Sequence, residues 1–170
     1  KFNKTKDFIC SLDDPKGRTD LSKFINELPA NVFPVGRLDR NTKGLLLFTN
    51  NGNIANKMCH PTYKLRKIYS IELNTRITKN QMQRLTSGLI LEDGPVYFES
   101  VEVLSNTNLK VTISEGRNRI IRRTFQLLGY QDIKLKRLAI GPIQLANLKE
   151  GYFKRLTKGE VQSLLDTCDG

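Results

Sequence analysis

Three groups of residues have side chains whose types and spacing could do chemistry. The first is Gly36-Arg37-Leu38-Asp39-Arg40-Asn41-Thr42-Lys43-Gly44, a polar stretch flanked by glycines and set between two apolar runs. Asp39 lies between two arginines, and an ionised aspartate can act as nucleophile or base without a metal. The same pattern also fits a structural Asp–Arg ion pair. The second group is Glu115-Gly116-Arg117-Asn118-Arg119-Ile120-Ile121-Arg122-Arg123, with four arginines around the first turns of an expected helix. Arginine is unfavourable at the positive end of a helix dipole. An anionic partner, phosphate or carboxylate, would relieve the conflict, and a solvated basic face is the plainer alternative. Lys134, Lys136 and Arg137 extend this positive surface further along the chain. The third is Tyr69 in Lys67-Ile68-Tyr69-Ser70-Ile71-Glu72-Leu73, where period-two alternation places Tyr69, Ile71 and Leu73 on one strand face. An inward tyrosine is ordinarily core with a hydrogen-bonded hydroxyl.

Other chemistries lack their residues. There is no phosphate-binding GxxxxGK[ST] loop, no GxGxxG, no HExxH and no nucleophile-elbow serine. His60 is the single histidine; next to Pro61, it reads as a surface or capping residue. Cys10, Cys59 and Cys168 are scattered, with no CxxC pair, so no metal site is expected and the thiols read as reduced. An enzyme built from this chain would work with carboxylate, phenol and guanidinium groups.

These residues need elements to position them. A short strand opens the chain, and a helix capped by Thr19 or Asp20 is predicted to run to Glu27. Val32–Val35 and Gly44–Thr49 read as strands on either side of the Asp39 loop, with Asn50-Asn51-Gly52 as a turn. Helices are predicted over Asn53–Cys59 and Thr78–Ser87, the second ended by Gly88. Strands near 96–104 and 109–114 form a hairpin. Ile120, Ile121, Thr124, Phe125, Leu127 and Leu128 form the apolar side of a helix ended by Gly129. Ile133–Ile140 and Pro142–Leu145 close the sheet, and Thr157 with Glu160 forms a capping box for a last helix. Strands follow strands as often as helices, so the expected class is α+β. The expected architecture is a mixed, mostly antiparallel sheet with helices packed on it, in one domain over residues 1–170.

The chain has 170 residues and a net charge of +11, from 28 Lys and Arg against 17 Asp and Glu. That excess points to a polyanionic partner, whereas the lack of Trp argues against a broad base-stacking platform. No apolar run approaches the roughly 18 residues of a membrane span, and no signal-peptide segment opens the chain. A cytoplasmic protein is expected. The first residue is Lys1 rather than Met, so the sequence reads as a fragment.

Val35 to Gly52 resembles the signature GRLDxxTxGLLLLTNDG of the RsuA-like family of ribosomal RNA pseudouridine synthases. Lys67-Ile68-Tyr69 is similar to that family's K-x-Y strand. Ile113 to Arg123 is similar to its IxEGRNRQVRR segment, and Leu135-Lys136-Arg137 with Ile140-Gly141-Pro142 to its LxR…IGP stretch. The matches occur in family order over nearly the whole chain. Three positions depart: Ile120 stands where Gln is usual, Asn3-Lys4-Thr5-Lys6-Asp7 replaces N-K-P-x-G, and Asn50-Asn51-Gly52 replaces NDG.

The resemblance implies a pseudouridine synthase fold and isomerisation of a specific uridine in ribosomal RNA. It implies base flipping, no cofactor and no metal. By the same resemblance Asp39 is the catalytic aspartate, Tyr69 stacks on the target uracil and Arg122 pairs with Asp39. Arg37 projects toward the RNA, and Arg40, Lys67, Arg117, Arg119, Arg123, Lys134, Lys136 and Arg137 are expected to contact it. The implied partner is ribosomal RNA, with no membrane, and the protein is expected to act as a monomer. Family members also carry a small N-terminal RNA-binding domain, expected upstream of Lys1. Two other classes stay open: a non-catalytic RNA-binding factor that keeps the fold, and a hydrolytic glycosidase-like enzyme, for which no second acidic partner is evident.

Overall fold

In the computed structural model, residues 1–6, 28, 31–60, 62, 64–117 and 119–169 are described. The helix expected to end at Glu27 and Cys10 lie outside the described residues. Among the described residues, ten strands and four helices follow one another as β1 (Phe2–Lys4), β2 (Phe33–Val35), β3 (Thr42–Thr49), α1 (Gly52–Cys59), β4 (Lys67–Glu72) and α2 (Lys79–Ser87). Then come β5 (Leu89–Leu91), β6 (Gly94–Val96), β7 (Ser100–Val103), β8 (Asn108–Ile113), α3 (Ile120–Leu127), β9 (Lys134–Ile140), β10 (Ile143–Gln144) and α4 (Lys158–Asp169).

Eight strands make one sheet in the order β1-β3-β9-β4-β8-β7, with β2 added to β3 and β10 to β9. Among the described residues only the β3–β9 pairing is parallel; the others in this sheet are antiparallel. The architecture is therefore the expected mixed, mostly antiparallel α+β sheet. Alternation along the strands divides the core between its two faces. Ile71, Leu109, Val111, Ile113 and Leu135 point to one face and meet Leu85 of α2 and Ile121 and Phe125 of α3. Leu45 and Leu47 point to the other and meet Met58 of α1 and Leu164 and Cys168 of α4. Each burial removes apolar surface from water at roughly 25 cal/mol per Å².

Local signals set the helix starts. Thr78 accepts from Gln81 N and Gln81 reaches back to Thr78 N, a complete capping box for α2. Thr157 and Glu160 exchange the same pair of bonds before α4, at 3.0 Å each. His60 ends α1 on the surface, its Nδ1 accepting from Thr62 N. No described helix is long and apolar enough to cross a membrane.

The β5–β6 hairpin is absent from the expected elements, and β7 starts at Ser100 rather than near residue 96. Leu89-Ile90-Leu91 is too short to declare its period, and Ile90 is 78% exposed despite being apolar.

Gly44, expected to open the strand after the loop, is preceded in that strand by Thr42 and Lys43. It lies inside β3 at φ +110°, directly opposite Arg137 of the parallel strand β9. A Cβ there would sit 2.6 Å from Arg137 N and closer still to its carbonyl oxygen. The missing side chain is what lets β9 reach β3 beside the Asp39 loop. Gly44→Ala is expected to cost roughly 2–5 kcal/mol through combined backbone strain and overpacking. A urea midpoint equal to that of the unmodified chain would refute this close approach.

Candidate active site

The loop between β2 and β3 turns tightly, with Thr42 N donating to Asp39 O at 2.9 Å. Such a polar turn needs partners for its carbonyls, because unpaired buried backbone groups are costly. Two buried cations supply them from distant parts of the chain. Lys4 of β1 is 0% exposed. Its Nζ lies 3.1 Å from Asp39 O, 3.3 Å from Arg40 O, 2.8 Å from Thr42 O and 3.1 Å from Thr5 O. Arg122 of α3 donates through Nη2 to Asn41 O at 2.9 Å and to Thr42 Oγ1 at 3.1 Å, and through Nη1 to Ile133 O at 3.2 Å. Every carbonyl from residue 39 to residue 42 thus receives a donor. The Asp39 carboxylate is left projecting, 28% exposed, from a fixed turn.

Phe2 lies two residues before Lys4 on the same strand. Its ring stacks on Phe153 at 4.2 Å between centroids, and Phe48 meets both rings edge-on. This aromatic cluster joins Leu38 and Leu46, and Tyr69 packs against it and against the main core at once. Tyr69 is therefore the side chain that links the Asp39 loop to β4. It shares its face with buried Ile71 and Leu73, as its alternation predicts.

Arg122 does not form the expected direct ion pair with Asp39. Its guanidinium is committed to the turn's backbone, and Asp39 acts on it only through space. Burial lowers the Arg122 pKa, the neighbouring Arg119 charge lowers it further, and Asp39 opposes both. The carboxylate's ion-pair partner is instead Arg119, with Nη1 3.7 Å from Oδ2. The sequence contained Lys4 and Arg119 but did not reveal their partners. Lys4 is adjacent to no acidic residue, and three of its four acceptors lie 35 to 38 positions away.

Other residues expected to contact RNA meet groups of the protein itself. Arg117 and Arg123 are taken up by the protein's own carboxylates. Arg123 grips Asp93 through two bonds of 2.9 Å, and Arg117 reaches Asp93, Glu115 and Pro95 O. The Arg123 hydrogen bond, above all, holds the Asp93 carboxyl below the usual carboxylate range. The anion that the basic helix start requires is thus Asp93, on the hairpin absent from the expected elements. Arg137 is only 4% exposed and bonds Leu45 O through Nε at 2.9 Å, so it is a core residue. Lys134 and Lys136 alternate with Leu135 and Arg137 and register with Glu72 and Ser70. They therefore occupy the sheet face opposite Tyr69. Ile120 is buried in the core, so that position contributes packing rather than a polar contact.

Arg37 and Arg40 are exposed on the Asp39 loop. Lys67 is half-buried on the Tyr69 face, where burial first and Arg137 second lower its pKa. Neutralising Lys134 and Lys136 together is expected to leave the salt dependence of binding to a short RNA stem-loop unchanged. A slope reduced by about two would bring the far face into the interface.

Comparison with known proteins bears on this arrangement. Residues 2–127 match the family model described as RNA pseudouridylate synthase. An uncharacterised RNA pseudouridine synthase of Aquifex aeolicus is 39% identical over 88% of this chain and 62% of its own length. The ribosomal large subunit pseudouridine synthase B of Bacillus subtilis is 36% identical over 98% of this chain and 70% of its own. This chain thus spans about two thirds of the length of these two relatives. A pseudouridylate synthase crystal structure matches with a TM-score of 0.86 and 30% identity, covering 96% of this chain and 71% of that one. A chain of the archaeal box H/ACA sRNP Nop10–Cbf5 complex matches at 0.54 and 15% identity, a likeness of fold. Family model, relatives and fold agree: the chain belongs to the RNA pseudouridylate synthase family.

Proposed function

We propose that this chain isomerises uridine to pseudouridine in ribosomal RNA and that Asp39 acts on the ribose of a flipped nucleotide. The observation that supports this most is the Asp39 turn, whose backbone is held by two buried cations while its carboxylate faces outward. Such rigid placement is what a reacting group needs, because small displacements are costly to catalysis. In the reaction the bond from C1′ to N1 breaks and a bond from C1′ to C5 forms. C5 loses a proton and N1 gains one, so no oxidant, reductant or donor group is consumed. Asp39 serves either as nucleophile at C1′ or as the base that begins elimination.

The uracil has to leave its stack, at a cost of a few kcal/mol that is smallest in loops and bulges. Tyr69 then provides the face on which the base rests. Arg37 and Arg40, exposed beside Asp39, contact the RNA backbone and position it without reading sequence.

The test is mass-spectrometric mapping of pseudouridine in unmodified ribosomal RNA incubated with the chain and no cofactor. A new pseudouridine at a defined position supports the reading. Free uracil in place of pseudouridine would indicate a hydrolase, and binding without any product would indicate an RNA-binding factor.

A further inference from the structure

Of the four arginines around the start of α3, three are committed. Arg117 and Arg123 bind Asp93, and Arg122 binds the Asp39 turn. Arg119 differs in each respect that matters. Its one ion pair among the described residues is with Asp39, at 3.7 Å, longer than a hydrogen bond. Its side chain is 42% exposed. Its backbone is left-handed, at φ 51° and ψ 32°, and it caps α3 without a side-chain bond. A non-glycine residue in that conformation is strained, and such strain concentrates at functional sites. A cation there also opposes the helix dipole. The fold thus holds a loosely paired guanidinium against the proposed reactive carboxylate, under local conditions that disfavour it.

We propose that Arg119 is an exchange residue: it covers Asp39 in the free protein and transfers to a phosphate of the bound RNA, uncovering the carboxylate for the ribose. The inference rests on the reading of Asp39 given above. It makes Arg119 a positioning residue, because it acts through Asp39 and the backbone rather than on the reacting atoms. Arg117 and Arg123 serve it indirectly: by neutralising Asp93 they fix the loop from which Arg119 projects. The exchange also favours a polymer substrate, since a free nucleoside has no phosphate to draw the guanidinium away.

The test is a binding cycle, separate from turnover. Filter binding would use deproteinised large-subunit ribosomal RNA, with poly(A) suppressing non-specific contacts. Removing the Asp39 charge frees Arg119 in advance, so Asp39→Asn is expected to bind about two- to fivefold tighter, the scale of one exposed ion pair. Arg119→Gly accepts the left-handed backbone, keeps the melting temperature and weakens binding. Combining Asp39→Asn with Arg119→Gly is expected to give the affinity of Arg119→Gly alone, and Arg119→Lys to keep part of the gain. An equal gain in both backgrounds would mean general charge repulsion and would overturn the exchange, as would no gain in either. Residual turnover by Asp39→Asn would instead remove the reading of Asp39, leaving the binding cycle to be judged separately.

Discussion

Asp39→Asn is expected to lower pseudouridine formation by on the order of 10⁴-fold or more, with the melting temperature within about a degree of the unmodified chain. The rate effect follows from the role: an amide can neither attack C1′ nor accept the proton, and losing a reacting group has consequences on this scale. The stability effect follows from the site. The contacts that fix the turn are made by main-chain oxygens and by Lys4 and Arg122, all of which an asparagine retains. The carboxylate itself contributes one exposed ion pair of 3.7 Å, and such pairs are worth about 0–1 kcal/mol. Pseudouridine quantified after single-turnover incubation, beside a thermal melt, decides the matter. Turnover within tenfold of the unmodified chain would show that Asp39 is not the reacting group.

Lys4→Met should do the reverse, damaging the fold first and activity with it. The side chain is completely buried, and four carbonyl oxygens surround its ammonium within 3.3 Å. Methionine matches its volume but donates nothing, so Arg40 O and Thr42 O lose a charged partner in the interior. Leaving such groups unpaired costs about 3–5 kcal/mol. The turn then loses one of its two anchors, and a misplacement of about 1 Å at a reacting group is enough for a 10²-fold loss of rate. Denaturant unfolding measures the first effect, and turnover below the transition the second. A stable variant with unchanged turnover would mean that Arg122 alone holds the turn.

Much of this protein could be read along the chain. The polar loop between apolar runs, the inward tyrosine of an alternating strand, the amphipathic α3 and the Thr157–Glu160 capping box are properties of near neighbours in sequence. Their periods of two and 3.6 residues are imposed by backbone geometry before any tertiary contact forms. The short hairpin β5–β6 was not legible, because three residues cannot establish a period and its outward Ile90 is apolar. Arg137 was read from its charge as surface, whereas it shares the buried face of Leu135.

What the sequence determined by itself was the inventory: one aspartate in a glycine-flanked loop, an aromatic on a central strand, and an excess of cations around a helix start. Only the tertiary structure decided which cation does what. Lys4 anchors the turn, Arg122 anchors it from the other side, Arg117 and Arg123 neutralise Asp93, Arg137 packs in the core, and, among the described residues, Arg119 is the one that pairs with Asp39. The reason is physical. Local patterns fix where a side chain points, whereas the partner of a charge depends on which distant backbone or carboxylate the packing brings within about 3 Å. For Lys4 that distance along the chain was 38 residues, and for Arg122 it was 81.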